Sequence, residues 1–194
     1  MLILRMYLTL LTPIFAGIVN SIFCKSKFLD CFKMPMDFHK NFLDGKRIFG
    51  DNKTIKGFLG YLFFNIIFSV FFGFIFSVFS LNSYNFFYQN HLNTFSLNLW
   101  IGFLLGLFYA LFELPNSFLK RRLGIVPGKS TKGFSKLFFT FFDQADSVFG
   151  VALVVWFFYP LGIMNYLLYV LVGAGTHLLI NMLLYFLHLR KNMF

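Results

Sequence analysis

Charged residues are scarce in this chain: they make up 12% of its 194 residues, whereas a typical soluble domain carries about a quarter. Acidic residues are the scarcest, because seven aspartates and glutamates stand against 17 lysines and arginines. Hydrophobic residues account for 58% of the chain and aromatic residues for 23%. This composition argues against an ordinary soluble globular protein and indicates that lipid is the solvent.

Cysteine and the common catalytic signatures are also nearly absent. Cys24 and Cys31 have no metal-ligand spacing, and two cysteines are too few for a disulfide framework. The chain has no Gly-x-Ser-x-Gly turn, no His-Glu-x-x-His helix and no inverted repeat of the transporter kind. No covalent nucleophile is evident, which favours a reaction whose attacking group arrives already ionised.

Long apolar runs dominate the rest of the sequence. Five of them are long enough for a helix to cross a bilayer, some with tilt, and none shows the period-two alternation of a barrel strand. We therefore predict a single all-α membrane domain over residues 1–194. The predicted spans are Leu8–Phe23, Phe58–Leu81, Leu97–Leu119, Phe142–Leu161 and Tyr166–Leu189.

Lysines and arginines concentrate between spans one and two, between spans three and four, and in the tail. The other two connections have none, so the positive-inside rule predicts an outer N-terminus and a cytoplasmic C-terminus in the cell membrane. Arg5 is the exception; a signal peptide would explain it, but no clear cleavage site follows. The net charge of +10 indicates anionic lipid or nucleotide as a partner, and not nucleic acid.

The stretch "FLDGKRIFGDNKTIKG", residues 42–57, combines glycines, acids and cations, as does "RRLGIVPGKSTKG" at residues 121–133. Glycines let backbone amides approach an oxyanion, and lysine or arginine neutralises it. We predict that both stretches line one phosphate site, although each cation taken alone is typical of a cytoplasmic loop. The candidates are Asp44, Arg47, Asp51, Lys53, Thr54, Lys56, Lys120, Arg121, Arg122 and Lys129.

Paired carboxylates follow in "FFDQADS", where Asp143 and Asp146 are three residues apart and therefore share a helical face. Hard oxygen ligands from one or two carboxylates are what Mg²⁺ takes from proteins, so we predict a magnesium site here. The alternative is that both aspartates cap the fourth span and complement its dipole.

Three more polar residues lie inside apolar runs. Glu113 is an acid within span three, where a carboxylate is costly, so it is a further metal-ligand candidate; the alternative is a salt bridge to Lys120. His177 and Asn181 lie four residues apart in span five. They either form interhelical hydrogen bonds or orient a nucleotide or lipid headgroup.

Several separated motifs occur together in one order: "MPMDF", "LDGKRIFGDNKTIKG", "NSFLKRRLGIVPGK", "FDQAD" and "THLLINMLLYFLHLRK". This ordered set resembles the CDP-archaeol synthase family of small membrane cytidylyltransferases, which are related to CDP-diacylglycerol synthases. The resemblance runs from Ile14 to Lys191. The chain departs from the family pattern at Phe112-Glu113, which replaces a Gly-Asp pair, at Thr140, which replaces a proline, and at Ser147, which replaces an aromatic residue.

The resemblance implies Mg²⁺-dependent transfer of CMP from CTP to the phosphate of a membrane lipid. It assigns catalysis to Asp143, Asp146, Lys53, Lys120 and Arg121. It assigns substrate binding to Asp44, Arg47, Asp51, Thr54, Lys56, Ser117, Arg122, His177 and Asn181, to which the loop pattern adds Lys129. The alternatives are a CDP-alcohol phosphatidyltransferase-like enzyme, whose aspartate spacing "DGKRIFGD" does not match, and a small membrane transporter. The sequence indicates no oligomeric state.

Overall fold

The computed structural model describes residues 1–126 and 134–188, and it describes the side chains of all of these except 134–138. In these ranges the chain is helical, with no strand and two isolated bridges inside the first loop. All five long helices have the length and apolar composition to cross a membrane, as predicted. They are α1 Leu2–Lys25, α2 Ile55–Val78, α3 Phe95–Arg122, α4 Phe134–Phe158 and α5 Gly162–Phe186.

Two helix ends differ from the predicted spans, and both differences change where candidate site residues lie along their helices. Helix α3 continues beyond Leu119 to Arg122, so the cations 120–122 form its last turn, where they complement the helix dipole. Gly124, with a φ of +74°, turns the chain away just after it. Helix α4 begins at Phe134, so Asp143 and Asp146 lie well inside it. The interpretation of these aspartates as N-terminal caps is therefore wrong.

The helices pack in chain order, each against the next, and α5 returns to contact α1. The α2–α3 contact is close because Gly102 and Gly106, four residues apart, face the backbone of α2. A Cβ at Gly102 would lie 2.5 Å from Ile66 Cα, and one at Gly106 would lie 2.7 Å from Leu62 Cα. Small residues at this spacing let two membrane helices approach, and here they hold α2 and α3 in register.

The segment between α2 and α3 closes one end of the bundle. Phe86 and Phe87 are buried there, and Asn85 accepts a hydrogen bond from the Phe87 amide while Thr9 accepts one from the Phe86 amide. The candidate site lies at the other end, where α1 and α3 end and α2 begins.

Candidate functional site

Asp37 organises the first loop, which joins α1 to α2. Its fully buried carboxylate accepts hydrogen bonds from the Arg47 guanidinium at 2.7 and 3.2 Å. It also accepts from the amides of His39, Phe49 and Gly50 at 2.9–3.1 Å. Burial raises the pKa of Asp37, but these donors outweigh it and hold the pKa well below its usual range. Asp37 thus fixes the backbone of the predicted phosphate loop.

We expect Asp37→Asn to destabilise the protein by about 3 kcal/mol at neutral pH, because it breaks a buried ion pair. The folded-state pKa lies below the ordinary aspartate value of about 3.9. The carboxylate therefore stabilises the fold fully above that value, and its contribution is lost as pH falls through the folded pKa. Thermal unfolding of both proteins in detergent at pH 7, 5 and 3 should give a difference that shrinks only below about pH 4.

Asp51→Asn is the matched control, since Asp51 also pairs with Arg47, at 2.9 Å, but its side chain is 62% exposed. Its loss should cost less than about 1 kcal/mol. Equal effects for the two variants would contradict the role given to Asp37.

Arg122 joins the first loop to the end of α3. Its guanidinium donates to the carbonyl oxygens of Lys46 and Arg47, and Lys46 Nζ donates back to the Arg122 carbonyl at 2.7 Å. Asp44 Oδ2 lies 2.9 Å from Arg122 Nε. The same guanidinium stacks on the ring of Phe118, 4.5 Å from its centroid. These contacts bring two distant polar segments together, as the sequence predicts, and make Arg122 a link between them.

A second group of contacts, the carboxylate cluster, connects α3 with α4. Asn116 Nδ2 donates to Asp143 Oδ1 and to Asp146 Oδ2, both at 2.7 Å, and Lys120 Nζ donates to both oxygens of Asp143. The predicted alternative, a Glu113–Lys120 salt bridge, is therefore not formed. The cluster comprises Lys53, Glu113, Asn116, Lys120, Asp143 and Asp146.

Lys53 brings the first loop into this cluster. It lies in the turn before α2, and its Nζ donates to Glu113 Oε2. Burial alone would lower the pKa of Lys53, but the carboxylates of Glu113, Asp146 and Asp143 more than offset it, so the pKa is raised. Lys53 is therefore an ammonium ion held among three acids.

The charges of the carboxylate cluster fit a divalent cation. Its three carboxylates and two ammonium groups leave one formal negative charge. Asp143 accepts from Asn116 and Lys120, and Asp146 accepts from Asn116 and the Ser147 amide. An ionised carboxylate has about four lone-pair sites, so both aspartates retain acceptor capacity for a further ligand. In the described part of the chain, no three His, Cys, Asp or Glu side chains group closely enough to form a complete cage. A cation here would take two carboxylates, with water and substrate phosphate completing its shell, as Mg²⁺ usually does.

Arg121 has an exceptional environment. The residue is only 9% exposed, and Nε and Nη1 of its guanidinium have no hydrogen-bond partner among the described residues. The neighbouring charges include Arg47, which repels it, and Asp51. An uncompensated buried cation is costly, so this arrangement favours an anionic ligand.

The other predicted loop residues have mainly local partners. Thr54 caps α2 by accepting from the Gly57 amide at 3.1 Å. The Lys56 side chain is buried and pairs with Asp30 at 2.9 Å, on the α1 side of the loop. Ser117 is buried on α3. Lys129 lies outside the described residues.

His177 and Asn181 connect α5 to α4. Asn181 Nδ2 donates to Gln144 Oε1 at 2.7 Å, and His177 Nδ1 lies 3.2 Å from the Gln144 carbonyl oxygen. These are the interhelical contacts that the sequence offered as the alternative interpretation. Their assignment to substrate binding stays a prediction.

Asn116 was missed by the sequence reasoning, although it touches both aspartates. The detectable signal was its position on α3, three residues after Glu113 and four before Lys120, which places all three side chains on one helical face.

If Asp143 and Asp146 hold Mg²⁺, as the sequence predicts, we expect Asn116→Ala to weaken magnesium binding by about 10–100-fold, because groups that orient metal-ligating carboxylates have effects of this size. The Mg²⁺ concentration that gives half of the ion's thermal stabilisation should rise in parallel. Asn165→Ala is the matched control, because Asn165 donates only to the Leu161 carbonyl of its own helix among the described contacts. A normal magnesium dependence in Asn116→Ala would contradict this assignment.

Comparison with known proteins shows the family of this chain. The family profile described as CarS-like, CDP-archaeol synthase, matches residues 2–194. CDP-archaeol synthase of Saccharolobus solfataricus is 32% identical over 121 residues, which cover 62% of this chain and 57% of the relative. That of Thermofilum pendens is 31% identical over 157 residues, covering 80% and 64%.

The chain thus spans somewhat more than half the length of these curated relatives. A solved structure, described as an intramembrane enzyme for archaeal membrane lipids biosynthesis, aligns with a TM-score of 0.57 at 21% identity. The alignment covers 86% of this chain and 91% of that one, and it supports the fold. Because the family profile covers almost the whole sequence, the chain belongs to the CarS-like CDP-archaeol synthase family.

Proposed function

We propose that this protein transfers CMP from CTP to the phosphate of a membrane lipid, forming a CDP-activated lipid and pyrophosphate. The observation that carries the proposal is the carboxylate cluster, in which paired aspartates and two lysines from three chain segments meet at one end of the bundle. Carboxylates for a cation beside ammonium groups for phosphate are what nucleotidyl transfer requires.

The reaction needs no covalent nucleophile from the protein. An ionised oxygen of the lipid phosphate attacks the α-phosphorus of CTP, the bond to the bridging oxygen breaks, and pyrophosphate leaves with that electron pair. Catalysis then consists of positioning the two substrates and neutralising their charges. Lys53 and Lys120 neutralise phosphate oxygens at the cluster, and Arg121 receives an oxyanion with Nε and Nη1, its two unpartnered nitrogens.

Asp143 and Asp146 would hold Mg²⁺, with Glu113 as a further ligand candidate. When bound, the ion supplies Lewis-acid polarisation of the triphosphate. Asn116 keeps the two aspartates oriented, and Arg122 keeps the first loop against α3. We place the site on the cytoplasmic side of the cell membrane, since the loop cations indicate that orientation.

The lipid tails would remain among the helices while the headgroup reaches the cluster. A cavity of about 80 Å³, open at its mouth, lies among the five helices. Its walls are mostly apolar, and His177 and Asn181 supply polar atoms on α5. This lining suits a hydrocarbon chain attached to a polar headgroup.

The test is incubation of the purified, reconstituted protein with CTP, Mg²⁺ and a panel of lipid phosphates with isoprenoid ether, diacyl or polyprenyl chains. We expect pyrophosphate release that requires both Mg²⁺ and one class of lipid phosphate. Pyrophosphate release independent of lipid, or none with any lipid, would contradict the proposal.

A further inference from the structure

The first part of the loop between α1 and α2, residues 26–34, exposes an unusual number of large apolar side chains. Phe28 is 69% exposed, and Leu29, Phe32 and Met34 are exposed as well. Four large apolar side chains within nine residues form a patch that a polypeptide seldom presents to water. We call residues 26–34 the interfacial segment.

The interfacial segment is also positively charged. Lys27 and Lys33 are exposed on either side of its apolar residues. Its acid, Asp30, is neutralised by Lys56 Nζ at 2.9 Å, and that hydrogen bond lowers the Asp30 pKa. The outward-facing charge of the segment is therefore cationic.

Its position places the interfacial segment at the membrane surface. It follows directly on Lys25, the last residue of α1, and lies beside the first turn of α2. Lys56 fixes it there by donating to the Ser26 carbonyl at 2.6 Å. A cleft lined by Phe23, Leu29, Phe32, Lys56 and Leu59 lies between the segment and the two helices. Lipid acyl chains around α1 and α2 would therefore adjoin the exposed apolar side chains of the interfacial segment.

We propose that the interfacial segment lies in the headgroup layer on the site's side of the membrane and binds anionic phospholipid through Lys27 and Lys33. Phe28 and Phe32 enter the acyl region, while the two lysines extend to lipid phosphates, as amphipathic side chains do at interfaces. The segment thereby holds the first loop against the bilayer, and that loop carries Lys53 at its far end. A basic juxtamembrane segment attracts anionic lipid in this way.

Cys31, an exposed thiol inside the segment, allows a direct test. After Cys24→Ser removes the other thiol, Cys31 is labelled with an NBD fluorophore and the protein is placed in nanodiscs of phosphatidylcholine. Doxyl-labelled phosphatidylcholine or phosphatidylglycerol is then added at equal amounts. We expect both lipids to quench the fluorophore, with the anionic lipid about 2–5-fold more effective for two lysines that each attract it. No CTP is present, so the result is independent of the proposed function.

Two variants separate the components of the proposal. Lys27→Gln with Lys33→Gln should remove the excess quenching by phosphatidylglycerol and preserve quenching by phosphatidylcholine, whereas Phe28→Ser should reduce both. Lys40→Gln, which removes one positive charge from an exposed first-loop residue outside the segment, should leave both unchanged. Equal quenching by the two lipids in the unmutated segment would overturn anionic-lipid binding. Absence of quenching by either, as if water or another protein chain covered Cys31, would overturn the location.

Discussion

Asp143→Asn should lower the rate of CMP transfer by about 10²–10³-fold. The five-helix bundle should still insert into the membrane. The substitution removes the charge that faces Lys120 and one of the two carboxylates proposed to hold Mg²⁺. Lipid-dependent pyrophosphate release measures the rate, and the thermal midpoint with and without Mg²⁺ measures ion binding separately. Stabilisation by Mg²⁺ should be present in the unmutated protein and lost in the variant.

Asp30→Asn is a suitable control, because it breaks another lysine–aspartate pair at the same end of the bundle but away from the carboxylate cluster. We expect it to lower stability and to preserve the response to Mg²⁺. Near-normal turnover in Asp143→Asn would refute the role given to Asp143.

Lys53→Gln should reduce CMP transfer by about 10²-fold, because it removes a partly buried ammonium group positioned for phosphate oxygens. It should also destabilise the fold by about 1–2 kcal/mol, since the partly buried carboxylate of Glu113 loses its partner. Adding Glu113→Gln to the same protein removes that unpaired charge. The double variant should therefore recover most of the stability without recovering activity.

This double-mutant cycle distinguishes two roles of the Lys53–Glu113 pair. If Lys53 acts only by fixing the first loop to α3, activity and stability return together in the double variant. That result would contradict direct charge neutralisation by Lys53. Kinetics at saturating CTP and at saturating lipid phosphate would show which substrate loses its interaction.

The helices were predictable because each apolar run is long and contains few charged residues, and lipid requires backbone groups to pair within the helix. Their ends were less predictable. Lys120, Arg121 and Arg122 look like a loop in sequence, yet they continue α3 because cations are favourable at a helix C-terminus. In the sequence, Asp143 and Asp146 resemble an N-terminal cap because the predicted fourth span begins at Phe142, whereas α4 begins at Phe134.

Charge composition predicted which segments would meet, but not which partners each cation would take. Lys53 contacts Glu113, whereas Lys56, three residues later, turns to Asp30 on the other side of the loop. Lys53 precedes the Thr54 cap, whereas Lys56 lies in the first turn of α2, so the position of the helix start sets their different directions. The spacing of Asn116 from Glu113 and Lys120 indicates a shared helical face, but the sequence alone does not show that both aspartates of α4 lie beside that face.

The most direct measurement of the central claim is the fate of the individual phosphates of CTP. The reconstituted protein is given lipid phosphate, Mg²⁺ and CTP labelled with ³²P at either the α or the γ position. The account predicts that α-label appears in the lipid fraction and γ-label appears only in pyrophosphate. Transfer of γ-label to lipid, or retention of all α-label in water-soluble nucleotide, would contradict it.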